Sequence, residues 1–279
     1  MNSSVHPWAN RADTIDLARR IRKDVLRMVH RTRASHVGSC FSMADMMAVL
    51  YGRCLRIDPL HPESPDRDRV IVSKGHSAAA IYATLAHCGF FPLEWLDHYT
   101  ENGGLLAGHA SHRVPGVELS TGSLGHGLSV ATGMALAARI QKSARRTFVV
   151  LSDGECDEGA IWEASLFAGH HGLDNLMVMV DYNKIQSFGR VADILRLEPF
   201  ADKWRSFGWA VREVDGHDHA ALAAVLDSMP LSAGQPGVML CHTVKGKGVS
   251  FMEDQVVWHY KSPNEEQLAL ALSELESGR

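Results

Sequence analysis

The amino-acid sequence predicts an α/β fold in which a parallel β-sheet is covered by helices on both faces. Helical and extended segments alternate along the 279 residues, which is the pattern of successive βαβ units. The extended segments are continuous apolar runs, such as "LMVMV" at residues 176–180, as strands buried on both faces require. Short polar motifs follow four of these runs, so we expect the functional residues to lie along one edge of the sheet.

Five apolar runs are the predicted strands. The first is short and breaks into a loop at Ser73, directly before the motif "KGHS". The predicted strands lie at residues 68–72, 147–151, 176–181, 209–214 and 237–244.

The segments between and around these strands are predicted to be helical. Apolar residues from Ile15 to Val29 recur at helical spacing, and Gly89 is expected to end an alanine-rich helix. In the second helix, Ser42 and Asp45 are placed as a capping box. The predicted helices lie at residues 13–30, 41–55, 76–89, 124–142, 158–172, 197–208, 219–230 and 264–277.

Composition excludes several classes of function. The net charge is -4 and the pI is near 6.5, so no basic field favours nucleic acid. No apolar run reaches the roughly 18 residues of a membrane span, and the N-terminus does not have the pattern of a secretory signal. Five scattered cysteines without a CxxC motif indicate reduced thiols in a cytoplasmic protein. No linker divides the chain, so we expect one domain over residues 1–279.

Two strand ends carry oxygen donors that suit a cation. Asp153 follows the second strand and Asn183 follows the third, and carboxylate and amide oxygens are ligands that Mg²⁺ and Ca²⁺ prefer. Gly154 allows backbone N–H groups to approach an anion, and the helix that begins near Glu158 adds its positive end. The pattern therefore predicts a site for a magnesium-bound diphosphate.

These motifs resemble the signature of thiamine-diphosphate enzymes, and specifically that of transketolase. The signature is "DGE…EG…EA" followed by "NK", and three further motifs resemble the histidine motifs of the family: "ASHVGSCFSMADMMAVLY", "SKGHSAAAIYATL" and "AGHAS…GVELSTGSLGHGLSVATGMALA". The order and spacing match through nearly the whole chain. The resemblance implies the diphosphate-binding module of the thiamine-diphosphate-binding fold.

The resemblance also implies roles for individual residues. Asp153 and Asn183 are expected to bind Mg²⁺ by their side chains, and Ile185 by its backbone carbonyl. Glu158 is expected in an inter-subunit acid network. The residues expected around the cofactor are Gly122, Gly154, His76 and His259 at the diphosphate and Leu124 at the aminopyrimidine. The residues expected to bind sugar hydroxyls or move protons are His36 and His109, with contributions from His76 and His259.

Some positions depart from the family pattern. Ser152 stands where glycine usually opens the signature, and His126 stands where full-length transketolases have glutamine. The segment "GHASHRVPG" replaces a shorter turn, so His112 competes with His109 for its role. Lys245, in "KGKG", is open to two interpretations: it binds a phosphate, or it lies in a flexible loop.

Full-length transketolases are more than twice as long as this chain and include a pyrimidine-binding domain that has no counterpart here. The resemblance therefore implies the N-terminal subunit of a split transketolase, which acts with a separate C-terminal subunit, as an α2β2 assembly. The implied reaction transfers a two-carbon ketol unit from a ketose or ketose phosphate to an aldose or aldose phosphate, through thiamine diphosphate and Mg²⁺. The alternatives are a subunit of a 2-oxoacid dehydrogenase or of a deoxyxylulose-phosphate synthase relative, and a non-catalytic binding protein that retains the fold.

Overall fold

The computed structural model describes residues 13–278, which contain a five-stranded, fully parallel sheet. The strand order is β1-β2-β3-β5-β4, and β2 and β3 pair in the register that sets Ser152 beside Asp181. Each strand begins and ends within two residues of its predicted limits. The strands are β1 (Arg69–Val72), β2 (Thr147–Ser152), β3 (Leu176–Tyr182), β4 (Ala210–Asp215) and β5 (Gly237–His242).

Ten α-helices surround the sheet in the described part of the chain. Most of them are amphipathic or alanine-rich segments that the sequence predicts. They are α1 (Thr14–Thr32), α2 (Val37–Ser42), α3 (Ala44–Val49), α4 (Ala78–His87), α5 (Gly127–Ile140), α6 (Gly159–His170), α7 (Val191–Ile194), α8 (Phe200–Ser206), α9 (His219–Asp227) and α10 (Glu265–Ser277).

The strand side chains alternate between two hydrophobic cores, as the two-residue period of a strand requires. Phe148 and Val150 of β2 pack in the core formed with α1, α3, α4 and α9. Val149 and Leu151 of the same strand pack in the core formed with α5, α6 and α8. Both faces of the sheet are therefore covered, which confirms the predicted fold class and explains why its strands are continuously apolar.

The predicted helix over residues 41–55 is wrong in its continuity and in its cap. The segment contains the end of α2, then α3, then a π-helical turn at Leu50–Cys54. No side chain caps α3, because the hydroxyl of Ser42 donates to Ser39 and Asp181, while Asp45 pairs with Arg22. The two side chains of the predicted capping box therefore bind buried residues far away in the sequence, Asp181 and Arg22, and not the backbone of α3.

The helix predicted from residue 124 begins three residues later, at Gly127. Gly125 has a φ of 88°, a left-handed conformation that glycine adopts without strain. Its N–H donates to the carboxylate of Glu155, and the N–H of Gly127 donates to the hydroxyl of Ser73. The glycine segment is therefore a loop fixed by buried side chains, and it reaches the carboxyl edge of the sheet.

Candidate active site

The oxygen donors predicted for a cation meet at the carboxyl edge of the sheet. Asp153 directly follows β2 and Asn183 directly follows β3, and both side chains are buried. Because β2 and β3 are neighbours in the sheet, these two residues and Ile185 line one cavity of about 190 Å³. The structure thus brings together all three predicted metal ligands.

Hydrogen bonds fix the orientation of both polar side chains. The carboxylate of Asp153 accepts from the backbone N–H of Gly154 at 2.7 Å and from that of Lys184 at 2.6 Å. The amide oxygen of Asn183 accepts from the N–H of Ile185 at 3.1 Å. Lys184 has a φ of 66°, so the chain turns sharply here and folds residues 183–185 around the cavity.

The donor chemistry of this group fits Mg²⁺ or Ca²⁺. A carboxylate, an amide oxygen and a backbone carbonyl are hard oxygen ligands, and three of them leave coordination positions for water and phosphate oxygens. Burial, and then the neighbouring carboxylate of Asp181, raise the pKa of Asp153 to about 6. A bound cation would favour the ionised carboxylate, because an adjacent positive charge opposes both effects.

The four predicted histidines form a cluster, and three of them line the same cavity, namely His36, His76 and His259. The ring centroid of His36 lies 5.1 Å from that of His76, 5.0 Å from that of His259 and 6.3 Å from that of His109. His36 has a φ of 74°, and its backbone N–H donates to the carbonyl of His259 at 2.8 Å. The structure therefore clusters the four histidines of the predicted site, which come from four separate segments of the chain.

The rings of His36, His76 and His259 are held uncharged at neutral pH. Burial, followed by the proximity of His109 and of two lysines, lowers the pKa of His36 to about 4. Burial and then Lys245 lower the pKa of His259 to about 3, and burial also lowers the pKa of His76. A neutral imidazole both donates and accepts a hydrogen bond, as recognition of a sugar hydroxyl requires.

Two buried lysines complete the cavity, and the sequence analysis did not assign either to the site. The ammonium of Lys245 donates to the carbonyl of Ile185 at 2.9 Å and lies 2.9 Å from a ring nitrogen of His259. Burial lowers its pKa to about 8. Lys74 is fully buried and pairs with Asp181. Their positions in the sequence could have indicated them, since both lysines follow a strand and therefore lie at the carboxyl edge of the sheet.

This geometry favours one of the two interpretations left open for Lys245. The side chain is 1% exposed and fixed by two backbone carbonyls and a histidine, so it is part of a built cavity wall. It supplies a positive charge beside the predicted diphosphate position.

The glycine loop forms another wall of the cavity. Gly122 and Leu124 line it, together with Gly154. A Cβ atom on Gly122 would lie 3.3 Å from the ring of His109, so glycine allows this imidazole to pack closely against the loop. The buried carboxylate of Glu155 accepts from the N–H of Gly125 at 2.8 Å and holds the loop in place.

Three predicted or competing residues lie outside the cavity lining. Glu158 is exposed, directly before α6, and packs against Gly125. His109 contacts the cavity through the histidine cluster. His112 is also exposed, and its ring nitrogen pairs with Ser120 at 2.7 Å, apart from the cluster. The placement favours His109 over His112 for contact with a ligand.

Comparison with known proteins leads to the same family. The family model described as "Transketolase, thiamine diphosphate binding domain" matches residues 13–275. The chain belongs to this family. It resembles the transketolase of Leishmania mexicana with a TM-score of 0.89 and 29% sequence identity, over 96% of this chain and 42% of that one. It therefore spans about two fifths of the length of that transketolase.

Two curated transketolase relatives have nearly the same length as this chain. The 6-deoxy-6-sulfo-D-fructose transketolase subunit SqwG of a Clostridium species is 42% identical over 257 residues, covering 92% of this chain and 94% of that protein. An apulose-4-phosphate transketolase subunit of Phocaeicola vulgatus is 38% identical over 264 residues, covering 94% of each. Both names favour transketolase over the alternative classes considered from the sequence.

Among residues 13–278, no helix has both the length and the apolar character needed to cross a membrane.

Proposed function

We propose that this chain is the N-terminal, diphosphate-binding subunit of a two-chain transketolase. Its reaction transfers a two-carbon ketol unit from a ketose or ketose phosphate to an aldose or aldose phosphate. The observation that carries the proposal is that Asp153, Asn183 and Ile185 line one cavity together with His36, His76 and His259, and that the ring of His109 contacts the ring of His36. The transketolase family match supports it, as do relatives of similar length whose names call them subunits.

The cofactor of the proposal is thiamine diphosphate with Mg²⁺, or with Ca²⁺ in its place. Bound there, the cofactor supplies the nucleophilic carbon and stores the two-carbon unit between the two sugars. Asp153 and Asn183 bind the cation by side-chain oxygens, and Ile185 binds it by its carbonyl. The diphosphate is held by Gly122, Gly154, His76, His259 and Lys245, and Leu124 packs against the aminopyrimidine.

The histidine cluster is the proposed sugar-binding end. His36 and His109 bind hydroxyls and carry protons to and from them, with His76 and His259 beside them. The lowered pKa values of His36 and His259 support the binding of hydroxyls, because a neutral imidazole can both donate and accept a hydrogen bond. Glu158 faces outward at the start of α6, where a carboxylate of a second subunit can meet it.

We further propose a cytoplasmic α2β2 assembly with a separate C-terminal, pyrimidine-binding subunit, in which the whole chain is one domain. The relatives named as subunits support a partner chain. The cytoplasmic location is supported by the five cysteines, which are all buried as thiols.

Calorimetric titration of Mg²⁺ and thiamine diphosphate tests the cofactor site. The titration is made into this chain alone, then into its mixture with the candidate partner subunit. We expect weak binding alone and tight binding in the mixture. Asp153→Ala should abolish binding, whereas Asp202→Ala, which removes an exposed carboxylate paired with Arg205, should leave it unchanged. Equal binding by the wild type and Asp153→Ala would contradict the proposed site.

Donor assays of the mixture test the reaction. We expect release of an aldose from a ketose phosphate, and a loss of turnover of roughly 100-fold or more in His36→Ala while cofactor binding persists. Turnover of a 2-oxoacid, or of pyruvate with an aldose phosphate, would favour the other thiamine-diphosphate classes. Tight cofactor binding without turnover of any donor would favour a non-catalytic protein.

A further inference from the structure

Asp181 is a fully buried carboxylate directly beneath the proposed cofactor site. It is the sixth residue of β3, two positions before Asn183, and its side chain does not line the cavity. Four polar side chains donate to it: the hydroxyl of Ser42 at 2.6 Å, the amide of Asn183 at 3.3 Å, the ammonium of Lys74 and the hydroxyl of Thr243. One carboxylate thus joins four separate segments of the site.

The first consequence concerns the amide of Asn183. Its nitrogen faces Asp181 and Ser42, and its oxygen accepts from the N–H of Ile185. If the amide were reversed, its oxygen would face the Asp181 carboxylate, and its NH₂ group would take the place of the oxygen donor. Because an NH₂ group does not bind Mg²⁺, the carboxylate selects the orientation that a cation site needs.

The second consequence concerns Lys74. Lys74 and Asp181 are both 0% exposed, and the ammonium also donates to the carbonyl of Ser39 at 3.1 Å. A buried ammonium persists only when it is paired, so Asp181 fixes the position of this charge in the cavity wall. Ser39 and Lys74 both line the cavity, and Asp181 therefore sets two of its walls.

We propose that Asp181 is a positioning residue of the cofactor site, which orients the amide oxygen of Asn183 toward the cation and anchors Lys74. It acts through these two side chains and does not itself touch the cofactor. This inference rests on the function proposed above, and it adds a residue that acts on cation affinity rather than on sugar chemistry.

The test measures the Mg²⁺ dissociation constant at saturating thiamine diphosphate, in the mixture with the partner subunit, together with the melting temperature of each variant. Asp181→Asn keeps the shape of the side chain but removes its charge, so Asn183 loses its fixed orientation and Lys74 its counterion. We expect Mg²⁺ binding at least tenfold weaker. Ser42→Ala removes one donor to the same carboxylate oxygen without a change of charge, and we expect an effect of roughly threefold.

Thr243→Val is the matched control. Thr243 donates to the other carboxylate oxygen, and it does not line the cavity. We expect a lower melting temperature and unchanged Mg²⁺ affinity, which separates positioning from a general loss of stability. Should Asp181→Asn fail to fold, Ser42→Ala decides the question by the same comparison.

The positioning role would be overturned if Mg²⁺ affinity were unchanged in both Asp181→Asn and Ser42→Ala. If Asp153→Ala still abolished binding in that case, the proposed function would remain intact. Equal weakening by Thr243→Val and Ser42→Ala would also overturn it, since a structural role alone predicts that result. Absence of Mg²⁺ and cofactor binding in the wild-type mixture would overturn the proposed function, and this inference with it.

Discussion

Acid should destabilise this protein through His36, and the effect can be isolated by one substitution. His36 packs against His76, His109 and His259, and Lys74 and Lys245 are also close enough to oppose its protonation. Protonation in the folded state would place a positive charge in a buried and already positive environment. The unfolded chain has no such penalty and binds the proton with an ordinary affinity.

The size and sign of the effect follow from the two pKa values. The pKa of His36 is lowered from the usual 6.5 to about 4 by burial first and then by His109 and the lysines. Stability is therefore complete above pH 6.5 and is lost progressively as the pH falls toward 4. For a fully buried ring the loss between pH 7 and pH 5 would be about 2 kcal/mol. Because His36 is partly accessible, we expect about 1 kcal/mol.

Urea unfolding from pH 7 to pH 5 measures this loss. The slope of stability against pH should be smaller in His36→Gln than in the wild type by about 1 kcal/mol over this interval. His98→Gln is the control, because His98 is exposed and pairs with Glu101 on the surface. Nuclear magnetic resonance gives a direct reading, since the imidazole signal missing from His36→Gln should not titrate above pH 5.

The reasoning would be refuted if the free energy of unfolding fell equally between pH 7 and pH 5 in the wild type and in His36→Gln. An imidazole signal assigned to His36 that titrates near pH 6.5 would refute it independently. Either result would mean that the ring of His36 is more open to water than its packing indicates, and the argument that it binds a sugar hydroxyl as a neutral imidazole would lose its support.

Three further outcomes follow from the packing. Gly169→Ala should destabilise the chain by about 2 kcal/mol in urea unfolding, since the added Cβ would overlap the carbonyl of Phe207. Gly133→Ala is the control. Its Cβ would meet open space, so it should stabilise α5 by roughly 0.5 to 1 kcal/mol. Asp68→Asn should lower the free energy of unfolding by about 3 kcal/mol or more in the same assay, because two arginines pair with this buried carboxylate. The surface variant Asp202→Asn should lower it by less than about 0.5 kcal/mol. All five cysteines are buried, and burial raises the pKa of the Cys40 thiol to about 11, so a thiol reagent at pH 8 should label the native protein only as fast as it unfolds.

The strands and the meeting of Asp153 with Asn183 at one edge of the sheet could be predicted from the sequence because local pattern determines them. A continuous apolar run such as residues 176–180 is compatible with little except a strand buried on both faces. The carboxyl ends of parallel strands share one edge, so Asp153 and Asn183 had to lie near each other once the sheet was parallel. The histidine cluster could be predicted only through the family resemblance, since its members come from four segments far apart in the sequence.

The remaining features depend on partners that local pattern does not reveal. Ser42 and Asp45 have the spacing of a capping box, yet each side chain is used by residues far away in the sequence, namely Asp181 and Arg22. The buried pair of Lys74 and Asp181 joins residues 107 positions apart, and no periodicity records it. Sequence reasoning therefore missed the polar layer beneath the cavity, where the side chains are positioned by one another.

The charges of the site also indicate which ligand it can hold. Lys74 is neutralised by Asp181, whereas Lys245 donates to two backbone carbonyls and to Nδ1 of His259, and no carboxylate in the described part of the chain forms a salt bridge with it. Asp153 needs a positive partner, because within residues 13–278 its buried carboxylate accepts hydrogen bonds from two backbone N–H groups and forms no salt bridge.

A cation alone would satisfy Asp153 but would add repulsion at Lys245, whose ammonium donates to the carbonyl of Ile185, a proposed cation ligand. A diphosphate alone would satisfy Lys245 but would repel Asp153. Magnesium diphosphate supplies both charges at once, so each component should increase the affinity of the other. Thiamine diphosphate titrated with and without Mg²⁺ should therefore differ in affinity in the wild type, and the difference should shrink in Asp153→Asn, in which the negative charge is absent.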